Sequence, residues 1–175
     1  MTSDLRPQTD AAERPRRRIV AIPDYLQPNG VVSSRRSMTE ALLEAGLLPV
    51  VLPEMDDEAA DQFLSHCDAV MIGGGIKDQQ YDRRCAFEDR VISLAVERGL
   101  TIVGICHGCQ VINRHFGETP APGFRVTAVS EEDGVIEAIE HESLPIAGFQ
   151  FHPEIYWKKD PRFLELIRRA FATRQ

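Results

Sequence analysis

Short apolar runs alternate with stretches of helical period along most of the chain. IVAI at 19–22 is four uncharged residues long, the length of a buried strand. MTEALLEAGL at 38–47 follows as an amphipathic helix that Gly46 closes. LPVVL at 48–52, AVMI at 69–72 and TIVGI at 101–105 repeat the strand signal. Helical patterns at 56–66 and 86–99 separate them. The first of these carries acidic residues in its opening turn, which suits the positive end of the helix dipole. The second sets Phe87, Val91, Ile92, Leu94 and Ala95 along one face and stops at Gly99. A short helix is expected over 110–116. Beyond it the pattern changes: 124–129, 135–139 and 146–151 read as three strands, the first two joined at Glu132-Asp133-Gly134. A last helix covers 161–171.

Strands that alternate with helices and read as near-continuous apolar runs belong to a parallel sheet covered on both faces. The late strands add an antiparallel extension. One domain is expected over 18–175, preceded by a flexible tail over 1–17, which is polar and aperiodic and carries two prolines. Arg16-Arg17-Arg18 is short and reads as a solvated lead into the first strand. The 175 residues include 20 Lys and Arg against 27 Asp and Glu, a net charge of −7. This balance argues against nucleic acid as the main partner, because phosphate binding needs clustered cations. No apolar run approaches the roughly 18 residues of a membrane span. The first residues hold no apolar signal core, so a reducing cytoplasm is the expected location. Four cysteines are too few for a disulfide scaffold at this length.

The sharpest chemical signal is Gly104-Ile105-Cys106-His107-Gly108. It follows an apolar strand and precedes a helix, the setting of a nucleophile elbow with cysteine as the nucleophile. A tight strand-to-helix turn leaves no room for side chains beside the nucleophile, hence the glycines. The helix N-terminus then lies under the sulfur, where an anion is favoured, and the His107 N–H points to where an oxyanion would form. Cys106 and Cys109 also make a C-x-x-C, which admits a redox dithiol or half a zinc site. With no second C-x-x-C and no H-x-x-x-H, zinc is the weaker case, and Cys109 reads as a packing residue. At the end of the last strand stands Gln150-Phe151-His152-Pro153-Glu154. A thiol nucleophile needs a base, and the base an orienting carboxylate. His152 and Glu154 are two apart, so on an extended backbone they share a side. Gly73-Gly74-Gly75 lets backbone approach a ligand and donate N–H groups. It lacks the G-K-[ST] of a phosphate loop.

The blocks AVMIGGG, IVGICHGCQVIN and DGVIEAIEHESLPIAGFQFHPE, in this order, resemble the class I glutamine amidotransferase-like superfamily. Within it, residues 82–113 and ALLEAGLLPVVLP at 41–53 are similar to the γ-glutamyl hydrolase branch, peptidase family C26, which includes γ-glutamyl-γ-aminobutyrate hydrolases. The resemblance spans residues 18–158. It implies a flavodoxin-like three-layer α/β/α sandwich. It implies Cys106 as nucleophile, His152 as base and acid, and Glu154 as its orienter. Gly74 and His107 become oxyanion donors, with Gly73, Gly75 and Gln110 beside the glutamyl group. The implied reaction passes through a γ-glutamyl thioester with no metal or organic cofactor. The implied partners are a small γ-glutamyl substrate or glutamine, and a second copy of the chain or a synthase, with no nucleic acid or membrane. One departure is large: the family's long substrate-wall segment after the elbow helix shrinks here to GETPAPG at 117–123. The alternatives are a glutaminase subunit that passes ammonia to a synthase, and a non-catalytic binding or redox module using Cys106 and Cys109. The presence of His152 and Glu154 counts against the module.

Overall fold

The computed structural model describes residues 16–26, 32–33, 36–75, 81–117 and 120–172. Most of the expected tail, 1–15, lies outside the described residues. In chain order the first elements are β1 (Ile19–Pro23), β2 (Tyr25–Leu26), β3 (Val32–Ser33), α1 (Arg36–Glu44), β4 (Leu48–Leu52), α2 (Asp57–Leu64) and β5 (Ala69–Ile72). Then come α3 (Tyr81–Glu97), β6 (Thr101–Ile105), α4 (His107–Phe116), β7 (Phe124–Val129), β8 (Ile136–His141), β9 (Ile146–Phe149), α5 (Pro153–Tyr156) and α6 (Pro161–Ala170).

Seven strands form one sheet in the order β4-β1-β5-β6-β9-β8-β7. The five strands from β4 to β9 are parallel, while β8 runs antiparallel to β9 and β7 to β8. Successive side chains on a strand face opposite ways, and here both faces are buried. Val70, Ile72, Ile102 and Ile146 pack under Leu64, Phe87, Val91, Ile92, Val111 and Ile112 of α2, α3 and α4. Val20, Met71, Val103 and Ile105 face the other way, against Met38, Ala41 and Leu42 of α1 and Ile167 of α6. The result is the flavodoxin-like three-layer sandwich, with the antiparallel extension at one edge. No described helix is long and apolar enough to cross a membrane.

Several boundaries differ from the periodic reading. The pattern at 86–99 starts a turn earlier, at Tyr81, because Arg84 and Cys85 are buried although polar or small. The elbow helix begins at His107 rather than at 110, and β9 stops at Phe149 rather than 151. The two-residue ribbon β2–β3 is too short to leave a period. Arg18 is not solvated: its guanidinium donates to the carbonyls of Phe171 and Asp68 and to Thr101 Oγ1, tying the N-terminal ends of the strands to the end of α6.

Candidate active site

The three chemical blocks end up side by side because β5, β6 and β9 are adjacent and parallel. Gly73 follows the end of β5, Cys106 the end of β6, and Gln150 the end of β9. The carboxyl ends of parallel strands are where this class of sheet presents ligands.

At the elbow, Cys106 has φ 53° and ψ −106°. Among the described residues it is the sole non-glycine with positive φ. Such a conformation costs on the order of 1–3 kcal/mol and needs surrounding structure to hold it. Its N–H donates to Phe149 O at 2.7 Å, and its carbonyl accepts from Gln110 N at 3.2 Å to start the helix. The glycines are required by contact: a Cβ at Gly108 would lie 2.1 Å from Ile72 O, and one at Gly104 2.6 Å from the Gly108 carbonyl carbon. Cys106 occupies the N-cap position of α4 without a side-chain cap bond, so its thiol is left for other partners.

His152 Nδ1 and Glu154 Oε1 are 2.7 Å apart. The carboxylate is fully buried and the imidazole a quarter exposed. The expected extended link between them is corrected. Pro153 opens the short helix α5, proline being well suited to a first helical position. His152, with φ −109° and ψ 76°, caps that helix, and the turn rather than a strand face brings the two side chains together. Gly74 lies over this pair: a Cβ there would meet His152 Cε1 at 2.8 Å and Cys106 Cβ at 3.7 Å. Its neighbours face elsewhere, Gly73 toward Met38 Sδ at 2.7 Å and Gly75 toward the Arg84 guanidinium at 2.4–2.5 Å.

Gln110 is exposed, and its Nε2 donates to Gln150 Oε1 at 3.2 Å. Gln150 Nε2 in turn donates to Cys106 Sγ at 3.8 Å. Sequence reasoning gave Gln150 no role, although its position two residues before His152 is a signal that it reaches the same mouth. A cavity of about 300 Å³ opens beside these amides, lined also by Asn113, Arg114 and Ile136. Cys109 points inward. A Cβ on Gly148 would come within 2.7 Å of its sulfur. Burial, with the nearby charges of Cys106 and Glu137, pushes its thiol up to about 12.

A second cysteine–histidine–glutamate group lies below the elbow. Donor atoms of Cys85, Glu88 and His107 are within 4.8 Å of one another, and all three residues are buried. His107 Nε2 is 2.8 Å from Glu88 Oε2 and 4.0 Å from Cys85 Sγ. Cations already surround these donors. Arg84 Nε is 3.9 Å from Glu88 Oε1. Arg114 lies against Cys85 and Tyr81, which hold its guanidinium above the usual range. A divalent cation would add charge to a neighbourhood that two guanidiniums share, so the donors fit an ion-pair cluster better than a metal site. The sequence signal was present: Arg84 and Glu88 continue the spacing of Phe87, Val91, Ile92 and Ala95 toward the start of α3, on the face that is buried.

The family profile described as Glutamine amidotransferase class-I matches residues 30–121 and 118–168. The chain therefore belongs to the class-I glutamine amidotransferase family. A glutamine amidotransferase-like protein of Rickettsia prowazekii is 33% identical over 100 residues, which cover 49% of this chain and 35% of that protein. The glutamine amidotransferase-like protein YvdE of Lactococcus lactis is 22% identical, covering 83% of this chain and 90% of its own length. That alignment runs to 213 positions although this chain has 175 residues, so the relative carries residues that this chain lacks. A glutamine-hydrolyzing GMP synthase subunit of Thermococcus kodakarensis is 33% identical over 102 residues, 34% of this chain and 53% of that one. Among solved structures, a protein described as a GMP synthase subunit from Thermoplasma acidophilum superposes with a TM-score of 0.65 at 18% identity, over 89% of this chain and 96% of that one. PurLQS of Thermotoga maritima gives 0.61 at 16%, over 88% and 98%. At those identities the likeness establishes the fold.

Proposed function

We propose that this chain is a cysteine-dependent hydrolase that cleaves a γ-glutamyl amide of a small metabolite through a γ-glutamyl thioester on Cys106. The observation that carries the reading is that Gly74 lies against both the His152 imidazole and Cys106, on its strained turn, while buried Glu154 holds the imidazole. In this reading Cys106 Sγ attacks the γ-carbonyl carbon and His152 takes the thiol proton. The N–H groups of Gly74 and His107 receive the oxyanion, a contribution worth several kcal/mol in such sites. Collapse of the tetrahedral intermediate breaks the C–N bond, and His152 returns the proton to the departing amine. His152 then deprotonates a water that attacks the thioester. Glutamate leaves and the thiol is restored. The steps need no metal or organic cofactor, and the chemistry suits a reducing cytoplasm.

The mouth supports a second reading, in which glutamine is the substrate and the ammonia passes to a synthase. The connection over 117–123 is short, and Gln110 is exposed beside Cys106. A partner or second copy seated near 117–123 would supply the missing wall, and the similarity to a GMP synthase subunit fits this case. One assay separates the readings: glutamate release by the isolated chain from γ-glutamyl anilides and from glutamine. Steady turnover of an anilide or another γ-glutamyl amide supports the stand-alone hydrolase. Glutamine turnover that rises only with a synthase supports the ammonia-donating role. Glutamate release that survives Cys106→Ala contradicts both.

A further inference from the structure

Two charged residues on α3, Arg84 and Glu88, are buried, at 5% and 4% exposure. The proposed reaction uses neither. Buried charges are costly unless paired, and well-packed apolar residues of similar volume commonly serve stability as well or better. Their contacts point to another task. The Arg84 guanidinium fills the space beside Gly75, the residue after Gly74: a Cβ there would lie 2.4–2.5 Å from it. Glu88 Oε2 engages His107 Nε2 at 2.8 Å. His107 is the first residue of α4 and is itself buried at 3% exposure. Tyr81, at the start of α3, meets the same imidazole edge-on with ring centroids 5.3 Å apart, and Arg84 lies over the Tyr81 ring at 5.5 Å. One helix thus touches both backbone segments that flank the Cys106 sulfur, from β5 and from β6.

We propose that Arg84 and Glu88 are positioning residues that hold the two oxyanion donors in register. Arg84 does so by packing under the glycine loop, and Glu88 by anchoring the His107 side chain and with it the His107 N–H. The pair spans one helical turn, so α3 acts as a fixed spacer between the two N–H groups. Neither residue touches the substrate. The rate consequence rests on the hydrolase reading above, whereas the positioning itself does not.

The experiment compares the full chain with Arg84→Met, Glu88→Gln and the double variant. The double variant removes both charges of the 3.9 Å pair together, so neither is left unpaired in the core, and its denaturation curve checks folding apart from positioning. Loss of one oxyanion donor lowers kcat by about 10²–10³ in comparable sites. The expected result is a fall in kcat of about 10-fold or more in each folded variant, with KM within about twofold. Cys106 alkylation by iodoacetamide, which forms no oxyanion, stays within about twofold. Backbone amide exchange at Gly74, Gly75 and His107, read by NMR, speeds up about 10-fold or more in the double variant relative to the core strands. A folded double variant with wild-type kcat and unchanged exchange at those three amides overturns the proposal. If the unmodified chain releases no glutamate from any γ-glutamyl amide, the hydrolase reading fails. The exchange measurement then decides the positioning alone: faster exchange sustains it, and unchanged exchange overturns it.

Discussion

The floor of the site and the rim of the sheet, its free edge at β7 with the neighbouring turns, are built in opposite ways. At the floor, Gly104, Gly108 and Gly74 each have another group within 2.8 Å of where a Cβ would sit, and the charged groups below are buried. At the rim, Gly117 and Gly134 face open space, β7 exposes five of its six residues, and Val129 and Val135 are about half exposed. The edge strand also slips register between Val126 and Val129, an irregularity that blunts edge-to-edge pairing. Chemistry that demands fixed geometry is thus set into the core of the sandwich, where packing allows no alternative.

The largest effect is expected at the nucleophile. Cys106→Ala is expected to lower glutamate release by roughly 10⁴-fold or more, as removal of a nucleophile does elsewhere. Cys109→Ala, three residues on but inward-facing, is expected to stay within a few-fold. Equal loss in both, in the same steady-state assay, would restore the dithiol reading. The next effect is on stability. Gly108→Ala drives a Cβ toward the Ile72 carbonyl oxygen, and denaturant titration should record a loss of about 3 kcal/mol or more. Gly134→Ala meets no neighbour but keeps φ at +71°, so its expected loss is about 1–2 kcal/mol. If the rim variant proves the more damaging, the contrast between floor and rim is wrong.

A smaller effect concerns pH. Burial holds the Cys67 thiol at about 11 and the Cys109 thiol at about 12, against 9.0 for an unburied one. The folded chain therefore keeps these protons where the unfolded chain gives them up. Their contribution to stability is complete below about pH 9 and declines as the pH climbs from 9 toward 12. Melting curves across that range should show the decline, and Cys109→Ala should flatten part of it. Smallest of all is the rim: Val129→Thr should shift stability by less than about 0.5 kcal/mol.

The residues that carry strong local patterns were legible from sequence. Apolar runs flanked by helical periods give the parallel strands, because burial on both faces removes any alternation. Gly104 and Gly108 around Cys106 mark a turn that no other residue type fits. What escaped detection depends on contacts between distant segments. Arg84 and Glu88 sit on a buried face where periodicity looks for apolar residues, so the apolar period starts later than α3 does. The link from His152 to Glu154 reads as extended in sequence because Pro153 does not by itself say whether it ends a strand or opens a helix. Gln150 depends on β9 lying beside β6, which places its amide at the Cys106 sulfur. Arg18 finds Asp68, Thr101 and Phe171 through the sheet order, which no local window contains.

In the proposed hydrolase, Cys106 carries a covalent γ-glutamyl thioester during turnover. The direct measurement is mass spectrometry of the chain acid-quenched during turnover of a γ-glutamyl amide, followed by peptide mapping. The expected result is the mass increment of one γ-glutamyl group on the peptide containing Cys106, at the sulfur of Cys106 and absent in Cys106→Ser. An increment on Cys85 or Cys109, or steady glutamate release with no adduct on any cysteine, would contradict it.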